Sequence, residues 1–595
     1  MKDFFKQMLA ATTGYIVGSI LLFIFGMIII LGISASAGKK KPVSLKDQSI
    51  LKLSLTGEVE ERSSSDDFPF ASMFGDDKGF ALDEMIAVIR AAAKDEKIKG
   101  IYLDLGILRS GGASAATIRK ELVEFKKSKK FIYAYGEMMT EKTFYLASVA
   151  DSIFMYPTGM VEWNGLASNP MFYKGMLERW HVQPQVFKVG KFKSAAESFS
   201  EKQLSDMNRL QLQVILNDMW EHIIGEIAQS RKIPAKDLDS LASTIKVVRP
   251  AQAVKYKLID ATMYPDQVEE LLRKRTKREK KDKLNWVKYS DYAKNVNIQK
   301  DKASFNNKVA VIYAVGEIKS GEGDEETIGS ETICEAIREA REDEGVKAIV
   351  LRVNSPGGSA LASDVIGREI EITKKVKPVI ASYGDVAASG GYYISANCDR
   401  IFAEPTTITG SIGVIGLMFN TQGFFNQDLG ITFDRVYSST NQHADLGNPN
   451  RPMSEFEAMR IQEEVNQIYG EFIDVVKRGR KYPDSVAVDS IAQGRIWSGN
   501  RALKLKLVDE IGSLDDAIKA AAKKAGLGEK DYSVAEYPKH KNFFEKIVEG
   551  IQTRSETRVV EKYLSKEQLR LFKTLNSLND PRHVYMREFW YDAFN

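Results

Sequence analysis

The sequence predicts an α/β protein made of two tandem copies of one domain, each a parallel or mixed sheet covered by helices, with one transmembrane helix ahead of them. Three observations carry this. At 595 residues the chain is too long for a single core. It matches itself at a nearly constant offset. Its first residues include an uncharged apolar run long enough to cross a bilayer.

That run is Thr12–Ile33, TTGYIVGSILLFIFGMIIILGI. Ala35-Ser36-Ala37 resembles a signal-peptide cleavage site. The run is long for such a peptide, which favours a retained anchor in contact with the lipid bilayer. Lys2 and Lys6 precede it and Lys39, Lys40 and Lys41 follow it, so charge alone favours a cytoplasmic C-terminal side.

The duplication follows. Ile98–Leu105 (IKGIYLDL) matches Val346–Val353 (VKAIVLRV) at an offset of 248, and Tyr135-Gly136 matches Tyr383-Gly384 at the same offset. Val254–Asp260 (VKYKLID) matches Leu503–Asp509 (LKLKLVD) at 249. The expected segments are an anchor and flank at 1–45, a first repeat at 46–275, a charged linker at 276–307, a second repeat at 308–535 and a tail at 536–595, helical and amphipathic over 541–578. Lys308–Val315, Lys347–Val353 and Pro378–Tyr383 read as buried strands. Glu331–Glu342 and Ala360–Val376 carry helical periodicity, so the pattern is βαβ.

Composition excludes some classes. A net charge of +4 argues against a dedicated nucleic-acid binder. The basic run Arg273–Lys283 reads as a solvated linker face, with anionic-lipid contact as the sharper alternative. Two cysteines, Cys334 and Cys398, make neither a metal site nor a disulfide scaffold.

Chemistry concentrates in the second repeat. Asn354-Ser355-Pro356-Gly357-Gly358-Ser359 sits between a strand and a helix, where glycines let backbone N–H groups face a developing oxyanion. Thirty residues on, Ala387-Ala388-Ser389-Gly390-Gly391 again follows a strand and places a serine at a tight turn. At offset 248 the first repeat has Glu141 in place of Ser389. One copy therefore looks specialised as the nucleophile-bearing half.

A serine hydroxyl needs a base. His443, near Asp445, is the histidine of the second repeat downstream of the serine. No lysine lies between Lys377 and Lys477, so a lysine base must come from elsewhere, and the first repeat offers Gly190-Lys191-Phe192-Lys193-Ser194-Ala195. In a strand, Lys191 and Lys193 project to one side. Near Asn441–His443, the matching stretch of the second repeat, no lysine remains.

These motifs together (NSPGGS, AASGGYY, Thr409–Gly413 as TGSIG, GKFKSA, and the duplication) resemble the signal peptide peptidase A (protease IV) family of the long, duplicated type. NSPGG and the small-Ser-Gly turn are shared with the Clp proteolytic subunit and loosely with crotonases, implying a Clp/crotonase-like domain. The resemblance implies a membrane-anchored serine endopeptidase with a Ser/Lys dyad: Ser389 as nucleophile, Lys193 as general base, Ser411 positioning that base. It implies oxyanion donors at Gly357 or Gly358 and Gly390, and no cofactor or metal. It further implies a homotetramer on the bacterial cytoplasmic membrane with its body outside the cytoplasm, degrading remnant signal peptides. The sequence departs from the family at Phe192 and at Glu197-Ser198. A lysine acting at neutral pH must titrate roughly three units below its usual 10.4, about 4 kcal/mol, which burial supplies.

Three other readings remain: a Clp-like serine protease using His443, a crotonase-like acyl-CoA enzyme, and a non-catalytic membrane scaffold.

Overall fold

The structure is a computed structural model that describes residues 44–63, 79–279, 281–302, 306–324, 326–529, 531–539 and 584–587, with scattered positions between 4 and 25. Most of the expected span at 12–33 and the expected tail helix at 541–578 lie outside the described residues. Among the described residues no helix is long and apolar enough to cross a membrane.

The first sheet is wholly parallel. Its order is Phe80–Ala81, Ser49–Glu60, Ile98–Arg109, Phe131–Met139, Ser152–Val161, Ala261–Thr262, with Asn285–Lys288 also on Ser49–Glu60. Parallel neighbours need crossovers, supplied by helices Leu82–Lys94, Gly112–Lys126 and Glu141–Ala147. The second sheet runs Ile496–Ser498, Ile408–Gly410, Val379–Ala388, Val346–Ser355, Lys308–Val315, Ser533–Tyr537. Val379–Ala388 is buried along its whole length, as a strand covered on both faces must be.

Two 26-residue helices, Asp206–Arg231 and Glu455–Arg480, repeat the kinship of the halves. Each starts at a serine whose hydroxyl accepts a backbone N–H, Ser205 or Ser454. Each stops at a lysine in the left-handed region, Lys232 or Lys481.

A third sheet draws on both halves. Its order is Thr327–Gly329, Glu317–Lys319, Gly357–Ser359, Val584–Arg587, Val414–Asn420, Gln183–Val189. Gln183–Val189 of the first half pairs antiparallel with Val414–Asn420 of the second.

The segment expected as a linker is partly regular. Asn285–Lys288 is a strand of the first sheet and Tyr289–Lys302 a helix, with Val287, Tyr292 and Ala293 buried in the first core. The neighbouring basic run masks these apolar positions in a composition reading. Cys334 and Cys398 are buried free thiols.

Buried polar contacts lock the halves together. Glu61 reaches across Gly384 to Arg352, at 2.9 and 3.2 Å, and Arg352 also donates to Ser382 Oγ and to the Tyr383 carbonyl. Asp385 accepts from the backbone N–H of Ser114 at 2.8 Å and from its hydroxyl at 2.6 Å, at the N-terminus of Gly112–Lys126. Thr117 donates to Glu404, whose carboxyl burial pushes up from its ordinary value.

Removing one member of the Glu61–Arg352 pair leaves the other charge buried without its partner. Arg352→Ala should cost about 3–5 kcal/mol in urea unfolding, and Arg352→Leu combined with Glu61→Leu distinctly less. Equal losses in the two would show that packing, not charge pairing, dominates there.

Candidate active site

The strand Val379–Ala388 ends at Ser389, which has φ +54° and ψ −116° before the short helix Gly390–Ser395. A non-glycine residue there is strained by about 1–3 kcal/mol and must be held by its surroundings. Ser389 N–H donates to the Gly410 carbonyl at 2.8 Å, and its own carbonyl accepts from Tyr393 N–H at 2.9 Å. The flanking glycines are needed for space. A Cβ at Gly390 would stand 2.6 Å from Ser363 Oγ, and one at Gly391 2.8 Å from the Ser355 carbonyl.

The lysine arrives from the other half. Seven residue pairs, from Val189↔Val414 to Gln183↔Asn420, align the first-half strand on the second half. The strand stops at Val189, and Gly190, at φ +107°, opens a turn. Lys191 and Lys193 therefore do not share a strand face as the alternation predicted. Lys191 is exposed, whereas Lys193 is fully buried. Phe192 N–H donates to the Gln493 carbonyl, and Gly494 N–H donates to that of Ile412. Gln211 holds the turn from behind, donating to the Phe192 carbonyl at 3.0 Å and to Ser194 Oγ at 2.9 Å. Glu197, where the sequence departs from the family motif, is buried and accepts from Ser205 Oγ and Asn208 Nδ2. It thus anchors the start of the long helix that carries Gln211.

Lys193 Nζ lies 2.9 Å from Ser389 Oγ, 2.8 Å from Ser411 Oγ and 3.3 Å from the Ser411 carbonyl. Ser411 is itself left-handed, at φ +51°, with its N–H donating to the Arg495 carbonyl. The Arg495 guanidinium lies over the Phe192 and Trp497 rings at 4.8 and 4.2 Å. Ser389, Lys193 and Ser411, 196 and 218 residues apart along the chain, thus meet in one buried cluster.

The glycine turn stands beside it. Gly357 is at φ +100°, and a Cβ there would lie 2.7 Å from Gly390 N. Gly357 N–H donates to Ser355 Oγ at 3.1 Å. Gly358 is in register with Ile318, and a Cβ on it would meet the Ile318 carbonyl oxygen at 2.0 Å.

The first half has no such turn. Its strand Phe131–Met139 reaches the helix one residue sooner, so Thr140, not Glu141, takes the place of Ser389. Thr140 has an ordinary φ of −90° and its hydroxyl accepts from Thr143 N–H. The Glu141 carboxylate accepts from the N–H groups of Asn164 and Gly165, and burial raises its pKa. His443 is engaged away from the cluster, with Nδ1 3.1 Å from Glu457, while Asp445 pairs with Arg451.

Sequence reasoning missed Gln211 and the Gln493–Arg495 wedge, since neither residue type nor spacing marks a support that acts through backbone contacts. It also missed Val584–Arg587, a short apolar strand lost in the charged tail.

Comparisons with known proteins agree with one another. The profile of peptidase family S49 matches residues 124–279 and 371–528. The chain is 32% identical over 512 residues to Protease 4 of Haemophilus influenzae, covering 84% of this chain and 82% of that protein. It is 34% identical over 525 residues to Protease 4 of Salmonella typhi, covering 85% and 83%. A protein of Enterococcus faecium named putative signal peptide peptidase SppA is 42% identical over 202 residues, 34% of this chain and 57% of that one. With both halves matched, this chain belongs to peptidase family S49 and is a serine protease.

Proposed function

We propose that Ser389 is the nucleophile and Lys193 the general base of an endopeptidase that degrades signal peptides and other peptides at a membrane. The 2.9 Å approach of Lys193 Nζ to Ser389 Oγ inside a fully buried cluster carries this reading. Neutral Lys193 takes the hydroxyl proton as Ser389 attacks a peptide carbonyl, and then passes it to the leaving amine. Water hydrolyses the acyl-enzyme by the same route. Desolvation disfavours an ammonium, which is the condition for a lysine to serve as base. Ser411 positions the amine through its 2.8 Å contact. The oxyanion rests against the glycine turn, at Gly357 or Gly358, and against Gly390.

Signal peptides as substrates rest on the relative named as a signal peptide peptidase. Anchoring in the bacterial cytoplasmic membrane rests on the uncharged run at 12–33, with the body outside the cytoplasm as the family resemblance implies. We further assign each half to the Clp/crotonase-like type, within repeats at 46–275 and 308–535. Assembly into a tetramer draws support from residues 429–446, where Leu429, Ile431, Val436 and Leu446 are solvent-exposed.

Hydrolysis of a short apolar peptide ester by the full chain tests the dyad. Ser389→Ala and Lys193→Ala should each lower kcat by about 10³-fold or more, and Ser411→Ala by less, while His443→Ala should leave it unchanged. Activity that survives Lys193→Ala and disappears in His443→Ala would transfer the base to the histidine.

A second test is geometric. Gly494 has φ +74°, and a Cβ there would fall 2.4 Å from Lys193 Cβ. Gly494→Ala should displace the lysine and lower kcat about 10²-fold while the far-ultraviolet circular dichroism stays native. Full activity in that variant would mean the turn tolerates the shift and its placement is not limiting.

A further inference from the structure

Arg495 brings a positive charge to the lysine's turn from the second half. It follows Gly494, which abuts the backbone and Cβ of Lys193. Its carbonyl accepts from Ser411 N–H at 2.8 Å, and Ser411 Oγ is 2.8 Å from the Lys193 amine. Its guanidinium lies over the ring of Phe192, the residue before Lys193, and over that of Trp497. The Trp497 ring is fixed in turn, its Nε1–H donating to the Ile491 carbonyl at 3.0 Å.

The well-buried arginines elsewhere are paired: Arg352 with Glu61, Arg451 with Glu457 and Asp445, Arg480 with Asp509. Arg495 is not. Its Nε is buried without a hydrogen-bond partner, and among the described residues no carboxylate pairs with the guanidinium. Burial lowers its pKa from the ordinary value and the charge of Arg501 lowers it further, yet an arginine stays protonated in a protein. Aromatic faces attract a cation without cancelling its charge. The carboxylates around the turn are engaged. Glu197 accepts from Ser205 and Asn208, Asp218 binds Arg501, and Asp489 accepts from Tyr469 and Gln493. Asp385, on the strand leading to Ser389, is taken by Ser114. Tyr585 adds a buried phenol, and Lys191 is exposed, where solvent and salt screen it.

We infer that Arg495 is a positioning residue for the base: its stacked guanidinium fixes the Phe192–Lys193 turn, and its uncompensated charge keeps the Lys193 amine unprotonated. The inference rests on the assignment of Lys193 as base. Two cations in a poorly solvated site repel, which disfavours the ammonium and leaves the neutral amine untouched. During attack the amine takes a proton while the substrate carbonyl gains negative charge, so the repulsion weighs chiefly on the resting ammonium.

The test is the pH profile, on the full chain, of Ser389 labelling by a fluorophosphonate and of kcat/KM for the peptide ester. Both should rise with pH along an acid limb set by Lys193. Arg495→Met keeps an apolar stem on the rings and removes the charge. Its acid limb should move up by about half a pH unit, with the plateau above it within about threefold of wild type. Arg495→Lys keeps the charge and should leave the limb in place. If Arg495→Met does not fold, Arg495→Gln should show the same shift. A limb that stays put in the neutral variants, or moves equally in Arg495→Lys, overturns the charge role. Lys193→Ala separates this from the dyad. If it still labels along the wild-type limb, the base assignment falls and the inference with it. If it abolishes labelling while Arg495→Met keeps the wild-type limb, only the inference falls.

Discussion

Everything at the candidate site depends on one antiparallel pairing, that of Gln183–Val189 with Val414–Asn420. Lys193 lies four residues past the end of that ladder, so the ladder's register sets where its amine stands. A slip of one residue would turn the apolar face of the strand outward. A slip of two would carry the lysine about 7 Å along the sheet, beyond hydrogen-bond reach of Ser389. The register is held at the middle of the strand and just past its end. Val186 packs beside Ala195 and Ala196, and the Gly190 turn closes onto Gln493.

The strained serine turn is held by the same strategy. Asp385, four residues before Ser389, spends its carboxylate on the N-terminus of a first-half helix, and Glu61 of the first half crosses Gly384 to reach Arg352. The left-handed backbone of Ser389 is thus set by contacts on both sides of the duplication. Docking of the halves and the geometry of the turn therefore rest on the same contacts.

The sequence made much of this legible. Runs of β-branched residues marked the second-half strands, because a parallel sheet buried on both faces needs them throughout; Val379–Ala388 simply runs further than the apolar core of its motif. Glycines marked both turns, because close backbone approach leaves no room for Cβ. Ser389 stood out at its glycine-rich turn and Lys193 as one of two candidate lysines, but the choice of Lys193, the naming of Ser411 and their pairing came only through a family resemblance, since their separations along the chain give no local pattern. Physical reasoning erred where it extended a strand period through Lys191, for a positive-φ glycine had already ended the strand. It erred again where a constant offset paired Ser389 with Glu141, for one residue fewer in the first-half strand shifts the match to Thr140. The third sheet was invisible because its members come from three distant parts of the chain.

A duplication usually leaves a spare. Here the first half has Thr140 and a capped helix where the second has a strained serine, and the second half has no lysine near Asn441–His443 where the first has Lys193. On the proposed assignment the base comes from one copy and the hydroxyl from the other, so the cluster in this chain needs both. The divided cluster therefore acts as a ratchet on the gene: in this chain the doubled length, at first redundant, is what brings Lys193 to Ser389.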